Sequence, residues 1–371
     1  MTDTSTDPLF DLTLTDEQRM NRESMQRFAA AEIRPLARSI DTGDSLAQTF
    51  YPKTAELGLT LLPIPEALGG AGVNRSPISN ALIYEDLAYG DMALALGSVS
   101  PMAFVNTLMD QGSEAQREKY LPPFCTGDFK PATTALLEPR ATFEPSAPAT
   151  TATANADGYR LSGTKCMVPL GMDAELVLVI ARLDDGFPAA FIVEGTPEGM
   201  TRTAEDNMGL LGARLATLTL DQVQVPANAK LGDSLFNLQR FIDLGRIGIC
   251  ALAVGTCQAV LDYVIPYCNE RVAFDEPISN RQSVAFMIAD IAIELEAMRL
   301  MTWRAASRAE NGLHFHQHST LAGLFCAEHA MKIGTDGVQL LGGHGFCREH
   351  PVEMWYRNLR ALATLEGVAS V

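Results

Sequence analysis

The sequence predicts a multidomain α+β protein with three parts: an all-α N-terminal domain, a β-barrel-like middle domain and a C-terminal four-helix bundle. Three observations lead to this. The chain has 371 residues, which is long for one domain. Apolar residues recur at helical spacing in the first and last thirds, whereas short β-branched runs between turn dipeptides occupy the middle. We expect the domain limits at residues 1–130, 131–231 and 232–371.

The N-terminal third begins with a predicted helix at Thr15. Thr15 and Gln18 have the spacing of a capping box, and Met25, Ala29 and Ile33 fall on one helical face. Further predicted features are a bend at Pro35, a Pro- and Gly-rich loop over 63–72, and helices over 78–96 and 114–120. The first third is therefore expected to be all-α.

The middle hundred residues predict an antiparallel β-domain, in which Asp157-Gly158 and Asp185-Gly186 mark turns. The predicted strands lie over 159–161, 175–181, 190–193 and 218–225. Beyond about Leu235, long helical patterns return, with breaks near 274–279 and 312–319.

Charge and cysteine usage exclude several functional classes. The formal net charge is −17 and the pI is about 4.8, so we expect no nucleic-acid partner and no binding to anionic membranes. The most apolar uncharged stretch, 247–261, is shorter than the roughly 18 residues of a membrane span, which predicts no membrane insertion. The first residues do not read as a secretory signal, and the seven scattered cysteines favour reduced thiols and a cytoplasmic location.

A series of short motifs in this order resembles the acyl-CoA dehydrogenase family from about Thr15 to the last residue. The motifs are Leu57-Gly58-Leu59, Pro65-Glu66, Gly69-Gly70-Ala71-Gly72, Glu85-Asp86-Leu87-Ala88, Gly112-Ser113-Glu114, Lys119-Tyr120-Leu121-Pro122, Glu138-Pro139, Asp157-Gly158-Tyr159, Gly163-Thr164-Lys165, Val225-Pro226 and Leu231-Gly232. The resemblance implies this family's fold and FAD-dependent α,β-dehydrogenation of an acyl-CoA thioester to the trans-2-enoyl-CoA.

Glu366-Gly367 matches the family's Glu-Gly-Thr segment, whose glutamate removes the α-proton of the acyl-CoA. A carboxylate suits this chemistry, because burial raises its pKa towards the working pH. The resemblance therefore implies Glu366 as the base, with flavin N5 as the hydride acceptor and Arg246 and Gly367 at the substrate. Some relatives carry the base before the arginine of a Leu-x-Arg segment, but here that position is Gly245.

The resemblance also implies a site for the adenosine diphosphate half of FAD, mostly that bound by a neighbouring subunit. Glycines let backbone N–H groups approach phosphate, and arginine supplies charge. The matching residues are Arg271, Phe274, Gln282, Gln339, Gly342 and Gly343.

The positions that contact the flavin ring in the family depart from its pattern. Leu137, Met167, Pro169 and Val368 stand where the family has threonine, tryptophan, threonine and threonine, and Phe143 replaces the serine that meets the pyrophosphate. Because these replacements remove hydroxyls and a stacking partner, we expect substoichiometric FAD on the chain purified alone.

Three functional hypotheses follow. The first is a flavoprotein dehydrogenase that passes electrons to an electron-transfer flavoprotein and forms a homodimer or homotetramer. The second is a non-catalytic or half-catalytic subunit of a hetero-oligomer, with weak or absent flavin binding. The third is an oxidase or hydroxylase on the same scaffold, which would differ in oxygen reactivity.

Two further features favour structural roles. His314, His316 and His318 have the spacing of one strand face, but no acid or cysteine completes a ligand set, so no metal is expected. Cys166 and Cys347 lie near the expected cofactor loops, yet nothing around them predicts a depressed thiol pKa. Both are therefore expected to be inert thiols.

Overall fold

A computed structural model describes residues 13–43 and 47–371, so the expectation about the first residues lies largely outside the described part of the chain. Six helices form the N-terminal third: α1 (Asp16–Phe28), α2 (Arg34–Asp41), α3 (Ala47–Thr54), α4 (Pro77–Gly90), α5 (Met92–Gln111) and α6 (Glu114–Tyr120). The predicted all-α character of this third is confirmed within the described residues.

Local signals in the N-terminal third act as predicted, with one difference. The capping box between Thr15 and Gln18 is formed, and a π-helical turn over Ala29–Ile33 separates α1 from α2 just before Pro35. The helix predicted over 78–96 is instead two helices, because Asp91 has an extended backbone and its side chain accepts the N–H of Leu94 as the N-cap of α5.

The middle third is one curled sheet of seven strands: β1 (Ala132–Ala135), β2 (Thr151–Asn155), β3 (Gly158–Val168), β4 (Leu176–Leu183), β5 (Pro188–Glu194), β6 (Met200–Ala204) and β7 (Ala216–Val225). The expectation of a purely antiparallel sheet is wrong. β4 pairs in parallel with both β1 and β2, and the remaining pairs are antiparallel. The connections from β1 and β2 to β4 are long enough to return the chain in the same direction.

The C-terminal third contains α7 (Leu238–Glu270), α8 (Gln282–Glu310), α9 (His316–Leu341) and the short α10 (Val352–Arg360), and this confirms the predicted bundle. A small hairpin of β8 (Val272–Ala273) and β9 (Glu276–Pro277) joins α7 to α8. α7 packs against α8 and α9, and α4 of the first third packs on it as well, so the outer domains share one helical core.

Two helices, α5 and α7, are long and apolar enough to cross a membrane by length and composition. The sequence estimate that limited the longest apolar stretch to 247–261 was therefore too short. In the protein, the most apolar windows of α5 and α7 are 94% and 78% buried. Burial of this extent is typical of the core helices of a multidomain protein.

Candidate active site

Glu366 lies beside a cavity of about 250 Å³ between α7, α9 and the segment that follows α10. Its side chain is 17% exposed. The cavity wall is mainly apolar, with Ile249 on α7 and Leu362 and Leu365 near Glu366. The cavity can therefore hold a small apolar group against a carboxylate.

The last residues of the chain position Glu366 by packing on α7. The hydroxyl of Thr134 donates to the Gly367 carbonyl at 2.7 Å, and Tyr84 and Asn106 donate to the Ser370 carbonyl at 3.1 Å. Gly367 has φ +67°, and a Cβ there would lie 2.7 Å from a Leu136 methyl carbon. These contacts fix the backbone on both sides of the carboxylate.

Gly245 lets α7 and the Glu366 segment approach each other closely. A Cβ on Gly245 would lie 2.9 Å from Gly367 Cα, which is closer than side chains pack. A glutamate at position 245 would therefore displace the backbone next to Glu366. In this packing the candidate base can come only from the C-terminal segment, and not from α7.

Arg246 is the charged neighbour of Glu366. Arg246 Nε lies 2.7 Å from Glu366 Oε1, and Arg246 Nη1 donates to the Thr320 hydroxyl at 3.2 Å. The two side chains form an ion pair at this distance, which lowers the pKa of Glu366. A carboxylate has lone pairs beyond the one that faces Arg246, so Glu366 can still accept a proton.

Burial raises the pKa of Glu366 above its ordinary value. The positive charge of Arg246 opposes this shift, and the negative charges of Asp243 and Glu144 add to it. A raised pKa makes the carboxylate a stronger base at neutral pH, while the ion pair keeps it ionised. The site can therefore abstract a proton from a weak carbon acid.

The predicted ring-contact residues are packed to different extents: Met167 is half-buried, and Val368 is buried in the C-terminal segment that carries Glu366. Leu137 and Val368 are 7% and 1% exposed, and Pro169 is also buried. The N–H of Met167 donates to Glu205 Oε1 at 2.7 Å, and Pro169 has no N–H to offer. Neither Met167 nor Pro169 therefore has a free backbone N–H for a flavin ring, and substoichiometric FAD stays a prediction.

The residues expected at the adenosine diphosphate lie at the other end of α7. Arg271, Phe274 and Gln282 are exposed around the β8–β9 hairpin, and Gln339 is exposed at the end of α9. A Cβ on Gly342 or Gly343 would meet nothing within 4 Å, so the turn is open to a ligand. An exposed arginine beside an open glycine turn fits a diphosphate, so the chain fits this half of FAD.

Two residues that resemblance to the family did not single out as functional, Lys165 and Glu138, hold the loop that follows β1. Lys165 Nζ donates to Glu138 Oε1 at 2.9 Å and to the Leu136 carbonyl at 3.0 Å, and the lysine side chain is 0% exposed. Burial lowers the pKa of Lys165 to about 8, with Glu138 opposing the shift. Burial would raise the pKa of Glu138, but the charge of Lys165 and N–H donors of Thr150 and Ala149 lower it to about 2. The pair is therefore ionised at neutral pH and anchors Leu137 beside the site.

The three histidines of the 314–318 segment do not lie on a strand, because His316 is the first residue of α9. His316 contacts Asp243 of α7, and no group of three or more metal-ligating side chains occurs in the described chain. Sequence reasoning also missed Asp243 and Thr320. Asp243 could have been found from its position three residues before Arg246 on the same helix face.

Cys166 is half-buried and Cys347 is exposed. Burial raises the pKa of the Cys166 thiol to about 11, as expected for an inert cysteine.

Family models and known proteins are similar to this chain along nearly its whole length. Models of the N-terminal, middle and C-terminal domains of acyl-CoA dehydrogenase match residues 15–128, 133–223 and 237–371. The short-chain specific acyl-CoA dehydrogenase of Bos taurus mitochondria is 32% identical over 96% of this chain and 88% of the relative.

Solved structures show the same similarity. The butyryl-CoA dehydrogenase of Megasphaera elsdenii is 31% identical with a TM-score of 0.86, over 95% of this chain and 94% of that one. A chain from a study of the electron-transferring flavoprotein of Acidaminococcus fermentans is 30% identical with a TM-score of 0.85, again over 95% and 94%.

Proposed function

Since the chain belongs to the acyl-CoA dehydrogenase family, we propose that Glu366 is the base that removes the α-proton of the acyl-CoA substrate. The observation that carries this proposal is the Glu366 carboxylate, which is 17% exposed, borders the cavity and is held there by Arg246. The test is the single-turnover rate of a Glu366→Gln variant with a saturated acyl-CoA.

The protein is an FAD-dependent oxidoreductase that converts an acyl-CoA thioester to the trans-2-enoyl-CoA and passes electrons to an electron-transfer flavoprotein. When bound, FAD supplies the acceptor for the hydride from the β-carbon. Glu366 takes the α-proton onto a carboxylate oxygen, and Arg246 holds that carboxylate at the cavity. The relatives do not favour the hypothesis of a non-catalytic subunit.

We further propose that the preferred acyl group is short. The cavity beside Glu366 is only about 250 Å³, and Ile249, Leu362 and Leu365 line it. We expect kcat/KM for butyryl-CoA to exceed that for octanoyl-CoA by about tenfold or more, because each extra methylene must displace packed side chains. Steady-state assays with saturated acyl-CoAs of four to sixteen carbons test this, and equal kcat/KM across the series would contradict it.

We also propose that the chain assembles into a homodimer, a homotetramer or a hetero-oligomer. Arg271 follows Arg246 by 25 residues on or just beyond α7, which is about 37 Å along a helix. Because the Arg271 end and the Glu366 end of one chain lie this far apart, we infer that a second copy supplies one part of each FAD site. This supports the shared site that the resemblance implies.

The exposed face of α8 supports association of the chains. Phe286, Ile293 and Leu300 recur every seven residues and are 63%, 68% and 37% exposed, a spacing typical of helix pairing. We expect light scattering at micromolar concentration to give at least twice the 40.1 kDa chain mass. Ile293→Glu is expected to lower that mass, whereas Glu296→Gln, also on α8, should not; a monomeric wild type would contradict the proposal.

A cytoplasmic location is a further proposal. The structure contains seven cysteines, all of them free thiols. Free thiols persist in a reducing compartment, which supports this location. Fractionation of cells that express the tagged chain tests it.

A further inference from the structure

Asp243 is a buried carboxylate on α7 that the proposed reaction does not use directly. Its side chain is 3% exposed. The Ser319 hydroxyl donates to Asp243 Oδ1 at 2.8 Å, and His316 Nδ1 lies 3.0 and 3.1 Å from the two carboxylate oxygens. Gln239 Nε2 donates to Asp243 Oδ1 at 3.1 Å and lies 2.9 Å from the same His316 nitrogen. The first turn of α9 thus fixes this carboxylate in place.

Arg246 lies between two carboxylates. Its Nε is 2.7 Å from Glu366 Oε1, and its Nη1 is 3.8 Å from Asp243 Oδ1. The guanidinium remains charged at every pH at which the protein is folded. When Glu366 takes the α-proton it becomes neutral, and Asp243 is then the carboxylate that still balances Arg246.

The change of net charge favours protonation of Glu366. Glu366, Arg246 and Asp243 together carry a net charge of −1 before proton transfer and 0 afterwards. A buried cluster is more stable when its charges balance. Without Asp243, the same transfer would leave an unbalanced cation beside the apolar cavity wall.

We propose that Asp243 is a positioning residue of the active site, which holds the Arg246 guanidinium when Glu366 is protonated, with His316 and Ser319 fixing the Asp243 carboxylate. The proposal rests on the role of Glu366 as the base. Besides Arg246 and Asp243, three groups face Glu366. They are Cys250 on α7, Thr320 on α9 and Glu144 in the loop after β1.

The direction of the effect on Glu366 follows from the charges. The negative charge of Asp243 raises the pKa of Glu366, while Arg246 lowers it. Removing the Asp243 charge is therefore expected to lower the pKa of Glu366. The acid limb of the pH–rate profile should then move to lower pH, because a weaker base stays ionised in more acidic solution.

The experiment compares Asp243→Asn with wild type in the holoenzyme. We expect the acid midpoint of kcat to fall by about half a pH unit or more, and kcat at neutral pH to fall several-fold while KM changes less. A second readout does not depend on turnover. It is the protonated carboxyl band in pH-difference infrared spectra, assigned by its loss in Glu366→Gln. The pH midpoint at which this band appears should fall by the same interval as the midpoint of kcat.

Three variants complete the design. Asp262→Asn removes one charge from the same helix 19 residues away, about 28 Å along α7, and should leave the midpoint unchanged. Asp243→Glu keeps the charge and should keep the midpoint while kcat falls. Asp243→Ser is a second neutral variant if the asparagine variant does not fold.

Two results would overturn the proposal: neutral variants with a wild-type midpoint, or an Asp243→Glu midpoint that moves as far as that of Asp243→Asn. These results differ from failure of the proposed base, in which Glu366→Gln itself would retain activity.

Discussion

Replacing Glu366 by Gln is expected to lower the single-turnover rate of α,β-dehydrogenation by about 10²-fold or more, with the fold retained. A neutral amide cannot take up the α-proton, and within residues 13–43 and 47–371 no second carboxylate lines the cavity. Asp243 accepts hydrogen bonds from α9, and Gly245 has no side chain. The measurement is stopped-flow bleaching of the flavin with saturating butyryl-CoA.

The control for this experiment is Glu353→Gln. Glu353 is a partly buried carboxylate on α10 that pairs with Arg357 at 2.8 Å and lies outside the cavity. This variant should retain the wild-type rate to within about threefold, which would show that loss of a partly buried carboxylate outside the cavity is not enough. A Glu366→Gln rate within about threefold of the wild-type rate would contradict the role of Glu366 as the base.

Replacing Lys165 by Met is expected to lower the free energy of unfolding by about 3–5 kcal/mol, because it leaves the Glu138 carboxylate buried without its cation. Lys165 and Glu138 are 0% and 3% exposed at their side chains. Urea unfolding monitored by tryptophan fluorescence measures the difference. Arg140→Met is the matched control, since Arg140 also lies 3.2 Å from Glu138 but is 40% exposed, and we expect it to cost less than about 1 kcal/mol.

The difference in the free energy of unfolding between wild type and Lys165→Met should become smaller at low pH. The pKa of Glu138 in the folded protein is about 2, below its ordinary value of 4.5. The stability that this depressed pKa contributes is complete above the ordinary pKa and is lost as the pH falls through the folded value. The gap between wild type and Lys165→Met should therefore narrow below pH 4. A gap that stays constant to pH 2, or a cost equal to that of Arg140→Met, would contradict the prediction.

Local patterns in the sequence were sufficient wherever structure depends on near neighbours. The capping box at Thr15 and the helix over Glu114–Tyr120 follow from contacts within four residues. By contrast, β1 (Ala132–Ala135) was missed because it is short and buried along its whole length, so it lacks the alternation that identifies a strand. Its parallel pairing with β4 joins residues more than 40 positions apart, which no local signal encodes.

The candidate site also has a part that the sequence predicted and a part that only the folded chain shows. Resemblance to the family placed Glu366, Arg246 and Gly367 in the active site. In the structure Glu366 and Arg246 line one cavity, and Gly367 packs against α7 beside them. The expected diphosphate residues lie at the far end of α7, and the sequence could not show this separation because spacing along a helix becomes distance only in the folded chain.

The sequence by itself determined the order of domains, the helical parts, four of the seven strands of the middle sheet, the family and the candidate base, because these depend on periodicity, capping and motif order along the chain. Only the tertiary structure decided how the carboxylate of Glu366 is used. Burial raises its pKa, and its ion pair with Arg246 joins residues more than 100 positions apart. Asp243 precedes Arg246 by three residues, but only the folded chain brings its charge close to Glu366. Burial and charge balance are properties of the packed protein, since the free energy of an ionised group depends on the atoms that replace water around it.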